Sequence, residues 1–225
     1  MEGGDSLLDT GVRYTRDDSE FDRAIGFVDA TYALALTLLV TTLDVSDLPT
    51  SWSSLRSLSD AVGAQFIAFA IAFAVISNYW LVHHRMIAAF AAIDYPTIVA
   101  NLFLIAAIVL LPFSTQSVGD PSVDQLALPT AVMAVNVAAA SLLHSTVFAM
   151  GVRRGLLTRA RPPEEIRGYL SLSLLPAVVV LASIPVAYAA SPAAGRWCWL
   201  ALVPLNIIVG MRVRRSAARE QSSPG

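Results

Sequence analysis

Long stretches of this chain contain no charged residue, and these stretches define its elements. Runs without Asp, Glu or Arg cover Ala61–Val82, Tyr95–Gly119, Gln125–Val152 and Gly168–Gly195, which are 22, 25, 28 and 28 residues long. A helix needs about 20 apolar residues to cross the hydrocarbon core of a bilayer, so each run predicts a membrane-spanning helix. Ala24–Leu43 is a fifth apolar run, interrupted only by Asp29. A sixth, Trp197–Met211, has 15 residues and reaches across only with Ala193–Gly195 included and Arg196 snorkelling to the interface. The pattern predicts an all-α, polytopic membrane protein with six transmembrane helices.

The polar intervals set the topology. All 15 basic residues are arginines. Thirteen fall in the N-terminal segment, between spans two and three, between spans four and five, and after span six, leaving Arg56 and Arg196 on the other side. By the positive-inside rule both termini are expected in the cytoplasm, as an even span count requires. Residues 1–22 carry seven acidic residues and no apolar core of a signal peptide. They are expected to form a flexible cytoplasmic arm, with the six-helix transmembrane domain over 23–215 and a cytoplasmic tail over 216–225. The links Asp44–Asp60 and Asp120–Asp124 leave no room for a second domain. Pro112, Pro176, Pro185 and Pro204 fall within spans, where proline kinks helices.

Composition agrees: 56% of the 225 residues are hydrophobic, 14% are charged, and the mean hydropathy is +0.62. One cysteine, Cys198, excludes a disulfide framework, and a net charge of −2 gives no basic field for nucleic acid. No Ser-His-Asp constellation, His-rich metal motif or phosphate-binding glycine loop points to an enzyme, and no cofactor is expected. A carboxylate inside a span is costly and marks a functional site. In span one, Asp29 points about 140° away from Leu34, whereas Ala30, Leu34, Thr37, Leu38 and Thr41 share a face. That stripe is either a helix-packing surface or the lining of a path.

Arg23-x-x-x-Phe27-x-Asp29, with the Leu-Leu-Val run that follows, resembles the first-helix signature of the TMEM175 family of potassium-permeable channels. The Trp80-x-x-His83 end of span two, and Asn101 with Leu110-Leu-Pro-Phe-Ser-Thr115 in span three, are similar to that family's pattern over roughly residues 23–118. The resemblance implies a homotetramer in the plasma membrane of a bacterium, with four copies of helix one around a potassium path. It places the apolar constriction at Leu34 and Leu38, a hydroxyl layer at Thr37, and Thr41 one turn further out. Val28 stands where the family has serine, so a hydroxyl is missing from the junction. Trp80, His83 and Asn101 are the expected hydrogen-bond donors to Asp29. His83 and His84 face about 100° apart and cannot chelate one metal as a pair. His144, Asn136 and Asn206 are expected to make interhelical hydrogen bonds, and Ala68, Ala70, Ala72 and Ala74 to permit close helix contact. The arginines from Arg153 to Arg167 offer a secondary site for anionic lipid headgroups. The alternative function is a proton-coupled secondary transporter using Asp29 and His83, although no internal repeat is visible.

Overall fold

The computed structural model describes residues 11–43, 53–202 and 204–211. The expected tail over 216–225 and most of the Asp44–Asp60 link lie outside the described residues.

Helix α1 runs Ser19–Leu38 and tightens into a 3₁₀ turn over Leu39–Thr42. Helix α2, Leu55–Ile87, begins at Ser54, whose hydroxyl accepts from the Ser57 N–H at 3.1 Å. Span three is two helices, α3 (Tyr95–Val109) and α4 (Leu111–Gly119). Pro112 sits in the first turn of α4, where its missing N–H and fixed φ start a helix more readily than they continue one. Helix α5 is Ala127–Arg153 and α6 is Pro163–Ala189, which carries Pro176 and Pro185 inside it. Helix α7, Pro192–Trp197, leads into the last span, Pro192–Met211.

Among the described residues, six helical spans are thus long and apolar enough to cross a membrane. The charge-free run Gly168–Gly195 overshoots its helix. The chain turns after Ala189, and Ser191 caps the next helix through the Ala194 N–H, so Ala193–Gly195 belong to span six. Arg56 and Arg85, expected in links, lie within the first and last turns of the longer α2.

Helix α5 is the centre of the bundle. It packs against α6 on one side and α3 on the other, while α1 lies on α2 and α3, and α7 lies outside against α6. Polar side chains cross these contacts. Tyr79 bonds Ser141 at 2.6 Å, Asn136 donates to Ser114 at 3.0 Å, Ser145 bonds Ser173 at 2.8 Å and Trp199 donates to Ser183 at 2.9 Å. Asn206 departs from expectation: it donates to Leu202 O within its own helix. Of the four alanines expected at a close contact, Ala72 is buried and Ala68 approaches Gly119 of α4, whereas Ala70 and Ala74 are exposed. Arg196 reaches to the end of span three and the link after it. Its guanidinium donates to Val118 O at 3.4 Å and to Asp124 O, fastening span six to the end of α4.

The segment expected as a flexible arm over 1–22 is ordered from its second half onward. Strand β1 (Arg13–Thr15) pairs antiparallel with β2 (Ala92–Asp94), and α1 starts at Ser19. Asp18 accepts from the Thr15 N–H at 2.6 Å and the Thr15 hydroxyl at 2.8 Å, and these bonds hold its carboxyl below the usual range. Arg16 donates to Phe90 O, Ile87 O and Ala88 O at 2.8, 3.0 and 3.1 Å, satisfying carbonyls that the end of α2 leaves open. Arg13 donates to Arg154 O, and Arg154 pairs with the buried carboxylate of Asp94. The leader of α1, the α2–α3 link and the α5–α6 link therefore meet at one end of the bundle. Arg159 and Arg161 are engaged by Glu165 there, which leaves the basic cluster partly neutralised for any lipid.

Candidate functional site

Helix α1 has two distinct faces. Phe21, Val28, Tyr32, Ala35 and Leu39 are buried against α2 and α3. The other side is uncovered: Phe27, Leu34 and Leu38 are 57%, 55% and 37% exposed, and Ala30, Thr37 and Thr41 are exposed with them. The expected stripe is thus one continuous surface that the described residues leave uncovered. The Thr37 hydroxyl donates to Ala33 O at 2.9 Å, and the Thr41 hydroxyl donates to Leu38 O at 2.7 Å. With the hydrogen engaged by the backbone, each oxygen keeps its acceptor lone pairs free.

Asp29 lies between the two faces, half-buried. The indole Nε1–H of Trp80 donates to its Oδ1 at 3.0 Å, and the Trp80 ring lies 5.4 Å from that of His84. The other two expected partners do not reach the carboxylate. Asn101 donates from Nδ2 to Thr97 O, one turn back in α3, at 3.0 Å, and this turns its Oδ1 toward His83 Nε2 at 2.9 Å. The amide assignment is fixed by that carbonyl, since a flipped Asn would set two acceptors against each other. His83 Nε2 must then carry the proton. The network is therefore two ties: Asp29–Trp80 joins α1 to α2, and His83–Asn101 joins α2 to α3.

The second tie extends toward the end of the bundle. Asp94 caps α3, accepting from the Thr97 N–H at 3.1 Å and the Thr97 hydroxyl at 2.6 Å, and Arg154 closes over it. Burial pushes the Asp94 carboxyl upward, but the Thr97 and Arg154 hydrogen bonds and the Arg154 charge outweigh it and hold the group below the usual carboxylate range. Sequence reasoning missed Asp94 and Arg154. An Asp three residues before Thr, with Pro at the second helical position, is a legible cap, but its arginine partner lies 60 residues away.

The remaining expected residues are placed as follows. Arg23 is exposed, and with Phe27, Val28, Ile98 and Asn101 it lines an open cleft of about 660 Å³ beside β1 and α3. Val28, in place of serine, packs as a buried apolar residue. His144 makes the expected interhelical bond, to the Tyr169 hydroxyl at 2.7 Å. Among the described residues no group of three His, Cys, Asp or Glu is arranged to hold a metal.

The chain is similar to known proteins in sequence and in fold. The family model described as endosomal/lysosomal potassium channel TMEM175 covers residues 23–112. A potassium channel of Streptomyces collinus is 28% identical over 107 residues, 45% of this chain and 49% of that protein. One of a Chryseobacterium species is 28% identical over 97 residues, 43% of this chain and 48% of that one. The chain thus spans about half the length of the curated relatives it matches. The crystal structure of a lysosomal potassium-selective channel TMEM175 homolog from Chamaesiphon minutus superposes with a TM-score of 0.68 at 20% identity, covering 87% of this chain and 99% of that one. A threonine-to-alanine variant of the potassium channel MtTMEM175 gives 0.62 at 20% identity, covering 86% and 93%. Residues 23–112 thus match the TMEM175 family model, and the chain has the six-helix fold of solved TMEM175 structures.

Proposed function

We propose that this protein is a potassium-permeable channel of a bacterial plasma membrane, a homotetramer with α1 of each subunit facing a central path and both termini in the cytoplasm. The observation that carries this reading is the uncovered stripe of α1, in which Leu34 and Leu38 alternate with Thr37 and Thr41 while the opposite face is packed. One α1 cannot enclose a path, so the stripe acquires an apolar neck only when copies meet around an axis. The potassium channels that the chain resembles support the choice of ion.

The mechanism follows from the side chains. A leucine neck gives an ion no ligands, closes by dewetting, and penalises the more strongly hydrated sodium more than potassium. The Thr37 oxygens, with their hydrogens turned into the helix, present lone pairs to a partly dehydrated cation beside the neck. The preference for potassium is therefore modest compared with that of a filter lined by carbonyls. Asp29 holds α1 in register through Trp80 and does not bind the ion.

The test is recording from purified protein in planar bilayers under asymmetric potassium and sodium. The expected result is discrete currents that reverse toward the potassium equilibrium potential. Saturable, proton-coupled flux without channel currents would overturn the proposal in favour of a transporter.

A further inference from the structure

The bundle contains a cluster of polar groups that the ion path does not use. Tyr32 of α1, His83 of α2 and His144 of α5 are 1%, 0% and 2% exposed, and their rings are consecutive neighbours, with centroids 5.7 and 6.0 Å apart. Each has one polar atom without a hydrogen-bond partner in the protein: the Tyr32 hydroxyl, His83 Nδ1 and His144 Nδ1. Buried polar groups in folded proteins are almost always satisfied, so three orphans on adjacent side chains call for a shared partner. The Tyr32 hydroxyl also lies within electrostatic reach of the Tyr79 and Tyr169 hydroxyls and of Asp29, which marks this as the polar centre of the fold.

We propose that one buried water molecule bridges the Tyr32 hydroxyl, His83 Nδ1 and His144 Nδ1 where α1, α2 and α5 meet. The donor and acceptor balance closes around it. His83 carries its proton on Nε2, facing Asn101 Oδ1, so Nδ1 is a bare acceptor and takes a hydrogen from the water. Tyr32 donates to the water oxygen. His144 engages Tyr169 through Nε2, and its Nδ1 completes the set in either tautomer, accepting the second water hydrogen or donating to the water oxygen. Three bonds are the usual complement of a buried water. The Tyr32 hydroxyl bonds neither imidazole directly, so it does not itself supply the missing partner. The water is a second polar tie between α1 and the bundle, one turn beyond Asp29, and it reaches the central helix α5, which the Trp80 tie does not.

The sign of a stability change tests this. An unpartnered buried hydroxyl is a liability, so Tyr32→Phe would then raise the unfolding midpoint. A hydroxyl that completes a water site is an asset, and its loss strands the water and the imidazoles. The expected result for the intact protein in detergent micelles is a midpoint lowered by several degrees in Tyr32→Phe. An unchanged or raised midpoint overturns the proposal. An independent measurement on the unaltered chain is a density map at about 2 Å resolution. It should show a peak within about 3 Å of all three atoms, the reach of a hydrogen bond. No peak, or the Tyr32 oxygen placed directly on an imidazole nitrogen, overturns the proposal whatever the midpoint. Neither readout depends on conduction.

Discussion

Trp80 donates its indole N–H to Asp29 Oδ1 across 3.0 Å, fastening a helix with one uncovered face to its neighbour by a charge-assisted bond. Because the carboxylate is half-buried, removing either partner leaves a polar group poorly hydrated. Hydrogen bonds to charged groups contribute about 1.5–3 kcal/mol. Asp29→Ala is expected to lose that much and to disturb the seating of α1, abolishing assembly or conduction rather than altering selectivity. Size-exclusion chromatography and bilayer recording check this together, and assembled Asp29→Ala protein with unaltered current would exclude the role. Trp80→Phe, which keeps the ring and loses the N–H, should show an intermediate loss.

In the proposed channel, the uncovered stripe separates neck from ligand layer. Leu34→Ala and Leu38→Ala each remove three carbons from the proposed constriction and should raise single-channel current. Thr37→Ala removes the oxygen and should shift the reversal potential toward equal potassium and sodium permeability. Reversal potentials unmoved in the Leu34→Ala, Thr37→Ala double variant would place the selective element elsewhere.

How far such a site can be read from sequence depends on how local its causes are. The six spans are legible because four are continuous charge-free runs and the other two are broken by a single charge each, and Asp29 is legible because a carboxylate in such a run needs a donor, which Trp80 supplies. The partition of His83 and Asn101 is not. Asn101 has its own carbonyl to satisfy at Thr97, one turn back, and only the rotation of α3 decides which way its remaining oxygen faces. Strand β1 escapes notice for a different reason. Three residues, Arg13-Tyr14-Thr15, show no periodicity, and their partner lies in the short link after α2. The charge rule explains the arginines at that end as topology, but Arg16 and Arg154 also bond the backbone and Asp94.

Gly151 permits the closest approach in the bundle. A Cβ built there would lie 2.3 Å from Cζ of Phe90, a ring with no exposed surface and no room to swing away. The turn that ends α5 depends on the same stretch: Gly155 takes a positive φ of 65°, and the Leu156 N–H returns to Gly151 O at 2.9 Å. Gly151→Ala is expected to cost about 1–3 kcal/mol by overpacking. Thermal unfolding checks the loss, and Phe90→Leu in the same chain should restore part of it. If Phe90→Leu worsens Gly151→Ala by its full single-variant cost, the clash is not the cause.

Asp94 carries the acid sensitivity of the bundle end. Its carboxyl is held below the usual range because the Thr97 and Arg154 bonds outweigh burial. A group with a lowered folded pKa adds stability above its unfolded value, about 4 for aspartate, and loses that contribution as pH falls through the folded value. The midpoint difference between the native chain and Asp94→Asn should therefore be constant from pH 8 to about 5 and shrink below about 4. Arg154→Met should lower stability at neutral pH by about 1–3 kcal/mol, less than the loss of a fully buried partner because Arg154 is 38% exposed. Without the guanidinium, burial acts on Asp94 with less opposition and its pKa moves back toward the unfolded value, so Arg154→Met should lose less stability than the native chain as pH falls below about 4. Unfolding midpoints measured from pH 3 to 8 for the three proteins decide it. Parallel curves would show that Asp94 is not the titrating group.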